Sequence, residues 1–242
     1  VEAGDQFLKG GRRHGSTRKK RRASIAGRPV RPDFPHDHRL NPAASFLILE
    51  TGRPVPSMAR HGAFPHVIRT AAGLSRRHAH VVPVLDGHEP PDPRGYAGVI
   101  VTGSGAMVTD REPWSERTAD WLRRAIERGL PTLGICYGHQ LIAHALGGEV
   151  AWNPQGREMG TVPVTLHADA ARDPLFKHLP SEFPAQTTHL QTVLSAPPGA
   201  TVLARPALDG CHARMLESVR PAPQARSVLR RFVRHAIEHR HA

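Results

Sequence analysis

Cys136 stands between glycines in the stretch Gly134-Ile135-Cys136-Tyr137-Gly138-His139-Gln140. The apolar run Leu130-Pro131-Thr132-Leu133 precedes it, and the helix-like pattern Leu141-Ile142-Ala143-His144-Ala145-Leu146 follows at once. The spacing corresponds to G-x-S-x-G with Cys in place of Ser: a strand, a tight turn with the nucleophile at its apex, and a helix whose N-terminus points at that apex. Unpaired N–H groups and the positive end of the helix dipole would lower the thiol's pKa and hold a developing oxyanion. The competing reading of Cys136 is a small buried hydrophobe. The flanking glycines and the upstream Gly103-Ser104-Gly105 favour a cysteine nucleophile.

Elements able to position such a turn alternate from Ser45 onward. Phe46-Leu47-Ile48-Leu49 reads as a buried first strand ending at Glu50-Thr51-Gly52. Pro65 to Leu74 reads as a helix, Ala79 to Leu85 as a second strand, and Tyr96 to Thr102 as a third, broken by Gly103-Ser104-Gly105. Pro113 opens a helix with Trp114, Trp121, Leu122, Ala125 and Ile126 on one face, ending at Gly129. After the elbow and its helix, closed by Gly147-Gly148, Thr161 to Leu166 and Thr201 to Ala204 read as strands. In the terminal helix, Leu229, Phe232, Val233, Ala236 and Ile237 form an apolar stripe that predicts packing on the sheet. This alternation predicts an α/β fold with an open, largely parallel sheet flanked by helices. Ligand sites in such sheets lie beyond the carboxyl ends of the strands, where Gly103 and Cys136 would be neighbours.

Length and charge narrow the function classes. A chain of 242 residues can bury a full core. It has no run of 18 apolar residues, which predicts no transmembrane helix, and its first twenty residues show no signal-peptide core. Only Cys136 and Cys211 are present, which implies no disulfide framework and fits a reducing cytoplasm. The formal charge of +12 resides at the ends: residues 1–44 carry a net +7 and residues 205–242 a net +5, while the middle is neutral. Residues 1–44, with Arg18-Lys19-Lys20-Arg21-Arg22 and no sustained apolar period, read as a disordered basic arm. Nucleic-acid binding through these ends ranks low, because they lack interleaved aromatics and the core is neutral. The 17 histidines show no paired ligand spacing with cysteines or carboxylates, so neither a metal nor a cofactor is expected.

The elbow resembles the G-x-C-x-G-x-Q nucleophile motif of class I glutamine amidotransferases, in particular the stand-alone group similar to the amidotransferase domain of GMP synthase. Three further segments fall in the same order. Val99-Ile100-Val101-Thr102-Gly103-Ser104-Gly105 resembles the strand and glycine-rich oxyanion loop, Gly147-Gly148-Glu149-Val150 the segment closing the nucleophile helix, and Thr188-His189-Leu190-Gln191-Thr192-Val193 the Ser/Thr-His segment lining the glutamine pocket. The resemblance covers roughly residues 45–205, within a domain of 45–242, and implies a flavodoxin-like three-layer architecture. It also implies hydrolysis of the glutamine side-chain amide through a γ-glutamyl thioester on Cys136. The backbone N–H groups of Ser104 and Tyr137 would hold the oxyanion, and Gly103, Gln140, Thr188 and His189 would line the substrate site. With no synthetase module evident, a separate synthetase or other ammonia acceptor would be the partner.

One segment breaks the pattern. The family completes its triad with a C-terminal His-Pro-Glu, and residues 207–226 contain neither that motif nor any His-x-Glu. They hold no alternating apolar run and carry Pro221 and Pro223, which disfavours a central strand; the terminal helix is expected at 227–240. A compensated frameshift or local rearrangement would leave a broken enzyme. Genuine divergence would leave a pseudo-amidotransferase that binds glutamine or a partner without turnover. A third possibility is a substitute base, with His212 and His189 as the candidates. A γ-glutamyl hydrolase using the same elbow is a further enzyme reading.

Overall fold

The computed structural model describes residues 45–206 and 223–239. The basic arm (1–44), the segment 207–222 with His212, and the end of the terminal helix expected beyond 239 lie outside the described residues.

Four strands, β1 (Phe46–Leu49), β2 (Ala79–Val82), β3 (Gly98–Val101) and β4 (Thr132–Gly134), form a sheet in the order β2-β1-β3-β4. Every pairing in it is parallel. The apolar runs are continuous rather than alternating because both faces are covered. Leu47, Leu49, Val99 and Val101 pack with Leu122 and Ala125 of α2 (Pro113–Glu127) and Tyr137 and Leu141 of α3 (Tyr137–Ala145). On the other face, Phe46 and Ile100 meet Ile68 and Ala72 of α1 (Phe64–Ala72) and Phe232 and Ala236 of α4 (Pro223–Glu238). Phe46 and Phe232 meet edge to face at 6.2 Å. The result is the flavodoxin-like three-layer α/β architecture.

Antiparallel pairing supplies the remainder. β5 (Glu149–Trp152) pairs with β8 (Gln191–Ser195), and β6 (Glu158–Leu166) pairs with β7 (Glu182–His189) and β9 (Ala204–Pro206). The second strand ends at Val82 rather than Leu85, because Pro83 has no N–H to continue the ladder and a 3-10 turn follows. The strand expected at Thr201–Ala204 begins instead at Ala204, where the pairing with Leu166 starts. The terminal helix starts at Pro223 rather than 227; proline is well suited to a first helical turn, whose N–H groups have no intrahelical partner. Of its stripe, Phe232 and Ala236 are buried while Ile237 is 45% exposed. No helix among the described residues is long and apolar enough to cross a membrane.

The glycines of the elbow answer to close backbone approach. A Cβ at Gly138 would lie 2.5 Å from the Val101 carbonyl oxygen, and one at Gly134 would lie 2.4 Å from the Gly138 carbonyl carbon. Neither obstacle is a side chain that can swing away. Gly134→Ala should therefore lower stability by about 2 kcal/mol or more, a fall in Tm of several degrees for a domain of this size. Gly95→Ala, where an added Cβ meets nothing within 4 Å, should stay within about 0.5 kcal/mol of wild type. Thermal melts showing equal losses for both variants would refute the close-approach account.

Candidate functional site

The site begins with the register that aligns Val101 with Gly134, which brings the carboxyl ends of β3 and β4 to one level. Ile135 N–H then donates to Val101 O (3.0 Å) and Gly138 N–H to Thr102 O (3.1 Å), folding the chain back over the end of β3. Between these anchors Cys136 adopts φ 52° and ψ −110°, a conformation that L-residues rarely occupy. Outliers of this kind persist only where the surroundings over-determine them, and they concentrate at functional sites. Cys136 is exposed and unbridged.

The two loops beyond β1 and β3 lie behind the thiol. Gly103 faces Cys136, with only 3.7 Å between the Cys136 Cβ and the position a Gly103 Cβ would take. Gly52 abuts Ser104 so closely that a Cβ there would lie 2.5 Å from the Ser104 Cα. Buried threonines tie the loops together: Thr51 N–H donates to Thr102 Oγ1 (3.0 Å) and Thr51 Oγ1 to Thr102 O (2.8 Å). Ser104 Oγ accepts from Ala106 N–H (3.0 Å), so this side chain shapes the loop while its backbone N–H remains the group relevant to an oxyanion. β1 and β3 are adjacent parallel strands at the switch point of the sheet, where open α/β sheets leave a crevice.

Tyr137 roots the nucleophile helix. Its ring is buried against Trp114, its hydroxyl is 2.6 Å from Ser115 Oγ, and burial pushes the phenol up to about 12. Burial also pushes the Cys136 thiol up, an effect the Tyr137 N–H opposes only in part. This reverses the lowering expected from the helix end: desolvation by the loops around the thiol outweighs the N-terminal N–H. His139 is held below the ordinary imidazole range, first by desolvation and then by its proximity to His189.

The antiparallel strands complete the surroundings. Cys136 Sγ lies 3.6 Å from Thr188 O, so the thiol meets the end of β7 through a backbone carbonyl. The next residue, His189, places Nε2 2.8 Å from Glu158 Oε2 across the β6–β7 pair. The approach is that of an ion pair but is not aligned as a hydrogen bond, and among the described residues both oxygens of this buried carboxylate lack a hydrogen-bond partner. Gln140 is buried and donates from Nε2 to Gln191 O (2.6 Å). Gln191, itself buried, accepts on Oε1 from Val108 N–H (3.0 Å) and donates to Thr109 Oγ1 (2.5 Å). Cys136 thus lies against Gly103 and the Thr188 carbonyl, with His189 the next residue of β7, while His212 lies outside the described residues. Thr51, Thr102, Gln191 and Glu158 were not singled out from sequence, since each acts through a partner distant in the chain. A cavity of about 420 Å³ at the far end of α3, lined by Arg111, His144 and Glu149 among others, contains none of the expected site residues.

A sequence profile described as glutamine amidotransferase class-I matches residues 61–222. The chain belongs to the class I glutamine amidotransferase family. Among relatives of this amidotransferase chain, the glutamine-hydrolyzing GMP synthase of Thermomicrobium roseum is 44% identical over 110 residues, 46% of this chain and 19% of that protein. The glutamine-hydrolyzing GMP synthase of Aeropyrum pernix is 35% identical over 146 residues, 60% of this chain and 27% of that protein. The chain therefore spans well under a third of the length of these curated relatives. Two solved structures share the fold. A glutamine amidotransferase from Thermotoga maritima has a TM-score of 0.52 at 21% identity, covering 66% of each chain. A glutamine amido transferase from Methylobacillus flagellatus has a TM-score of 0.55 at 23% identity, covering 67% of this chain and 61% of its own.

Gln191 links the loop after β3 to the strand beyond the nucleophile helix, so Gln191→Leu should strand a buried Val108 N–H. The expected cost is about 1–3 kcal/mol, together with faster hydrogen exchange at the Val108 amide. Unchanged exchange at Val108 would remove Gln191 from the scaffold of this loop.

Proposed function

We propose that this amidotransferase domain hydrolyses the side-chain amide of glutamine through Cys136. The observation that carries the reading is the exposed cysteine held at φ 52° immediately before α3, with the Gly103 loop against it. The thiol gives up its proton to a base, and the sulfur electron pair forms a bond to the amide carbon as the carbonyl π pair moves onto oxygen. The backbone N–H groups of Ser104 and Tyr137 stabilise that oxyanion, each donor contributing about 3–4 kcal/mol in sites of this type. Collapse of the adduct returns the pair, and the nitrogen takes the proton and leaves as ammonia. Water then cleaves the γ-glutamyl thioester to glutamate and restores the thiol. Dividing amide cleavage into two steps is what a covalent nucleophile contributes.

Gly103 and the Thr188 carbonyl lie against Cys136, and these residues together with His189, next in β7, and Gln140 of α3 are the proposed lining of the substrate site. A synthetase is the proposed consumer of the ammonia, a reading supported by the glutamine-hydrolyzing GMP synthases to which the chain is similar. The free Cys136 thiol suits a reducing, cytoplasmic compartment.

The purified protein should release equimolar ammonia and glutamate from glutamine, and Cys136→Ala should remove at least about 10³-fold of that rate. Wild type releasing no more than Cys136→Ala would overturn the catalytic reading. Glutamine binding measured by calorimetry on the same samples would then identify a protein that binds without turnover.

A further inference from the structure

The thiolate, not the thiol, is the attacking species, so attack by Cys136 requires a proton acceptor. Residues 207–226 supply no His-x-Glu for that task. The paired strands β6 and β7, by contrast, bring an imidazole and a carboxylate together next to the residue that touches the nucleophile. Glu158 and His189 are register partners, their side chains meet at 2.8 Å, and the Thr188 carbonyl that touches Cys136 Sγ belongs to the residue before His189. Glu158 is 6% exposed and, among the described residues, neither of its oxygens accepts a hydrogen bond, an arrangement that is costly for a purely structural carboxylate.

We propose that His189 is the proton acceptor for Cys136, with Glu158 as its positioning residue. This rests on the assignment of Cys136 as nucleophile. Glu158 beside Nε2 favours the neutral tautomer protonated there, leaving the lone pair on Nδ1 to receive the Cys136 proton. That proton later leaves with the amide nitrogen, so the imidazole returns to its starting state. Among the described residues, Glu158 from β6 pairs with His189 and His139 from α3 acts on it through space, while Cys136 touches the carbonyl of its neighbour Thr188.

The test uses iodoacetamide on the full chain, following the Cys136 peptide by mass spectrometry across pH, so that it reads the thiol without needing glutamine turnover. The wild-type rate profile should carry a pH-dependent limb besides that of thiol ionisation. His189→Gln should lose that limb, leaving only the raised thiol ionisation, and should react at least about tenfold more slowly at pH 7. Glu158→Gln should be slowed in the same direction without loss of Tm, and Glu158→Asp should recover part of the rate. Added imidazole should restore reactivity to His189→Gln if that variant is folded by near-ultraviolet circular dichroism.

Overlapping profiles for wild type and folded His189→Gln would overturn the proposal, as would glutamine turnover unaffected by His189→Gln. A His189-dependent limb in a protein that releases no ammonia would uphold the acceptor while removing the glutamine reading.

Discussion

The backbone of β3 and the first turn of α3 approach too closely for any side chain to stand between them, and the placement of Cys136 follows from that contact. Gly138 rests on Val101 and Gly134 rests on Gly138, while the N–H groups of Ile135 and Gly138 bond to the carbonyls at the end of β3. The chain therefore reverses within three residues, and the residue at the apex takes positive φ. A non-glycine residue in such a conformation costs on the order of 1–3 kcal/mol. The buried Val99 and Val101 beneath it and the Tyr137 ring beside it offset that cost, since none of them can remain buried if the turn relaxes. The strain at Cys136 and the solidity of the sheet are thus one arrangement.

How far each part was legible depends on how local its cause is. Phe46–Leu49 and Val99–Val101 are continuous apolar runs, and burial on both faces of a parallel sheet is what such runs require. The elbow was legible because its glycines are four residues apart and constrain each other directly. The β6–β7 hairpin was less so: Glu182–His189 is polar at most positions, and its pairing partner lies across a long connection. Glu158 carries no signal of its own in Arg157-Glu158-Met159-Gly160, because its meaning comes from facing His189, 31 residues away. Gln140 shows the opposite difficulty. Its position in the motif points to the substrate, and only the tertiary structure shows that its amide also donates to Gln191 O.

The thiol illustrates the same limit in electrostatics. A helix N-terminus behind a cysteine is visible in sequence and argues for a lowered pKa. Desolvation is not visible, because it depends on groups distant in the chain, the Gly103 loop and the Thr188 carbonyl, that lie against Cys136 even though the residue as a whole is exposed. Here desolvation outweighs the Tyr137 N–H, and the thiol is raised. Its reactivity is then governed by the group that removes the proton.

That division matches the two kinds of sheet. The parallel sheet and its switch-point loops hold the sulfur and the oxyanion donors through backbone contacts at β3, β4 and the Thr51–Thr102 pair. The antiparallel strands carry Thr188, His189 and Glu158, and they meet the nucleophile segment through the Cys136–Thr188 contact and the Gln140–Gln191 bond. Gln191 also reaches back to Val108 and Thr109, so one buried side chain touches the loop after β3 while its backbone receives the nucleophile helix. A shift of β7 and β8 would alter the relation of imidazole to thiol while leaving the elbow's own hydrogen bonds intact. If Cys136 and His189 act as proposed, the two roles are carried by different sheets, and Gln191 is a buried residue that bonds to the loop after β3 and to α3 from β8.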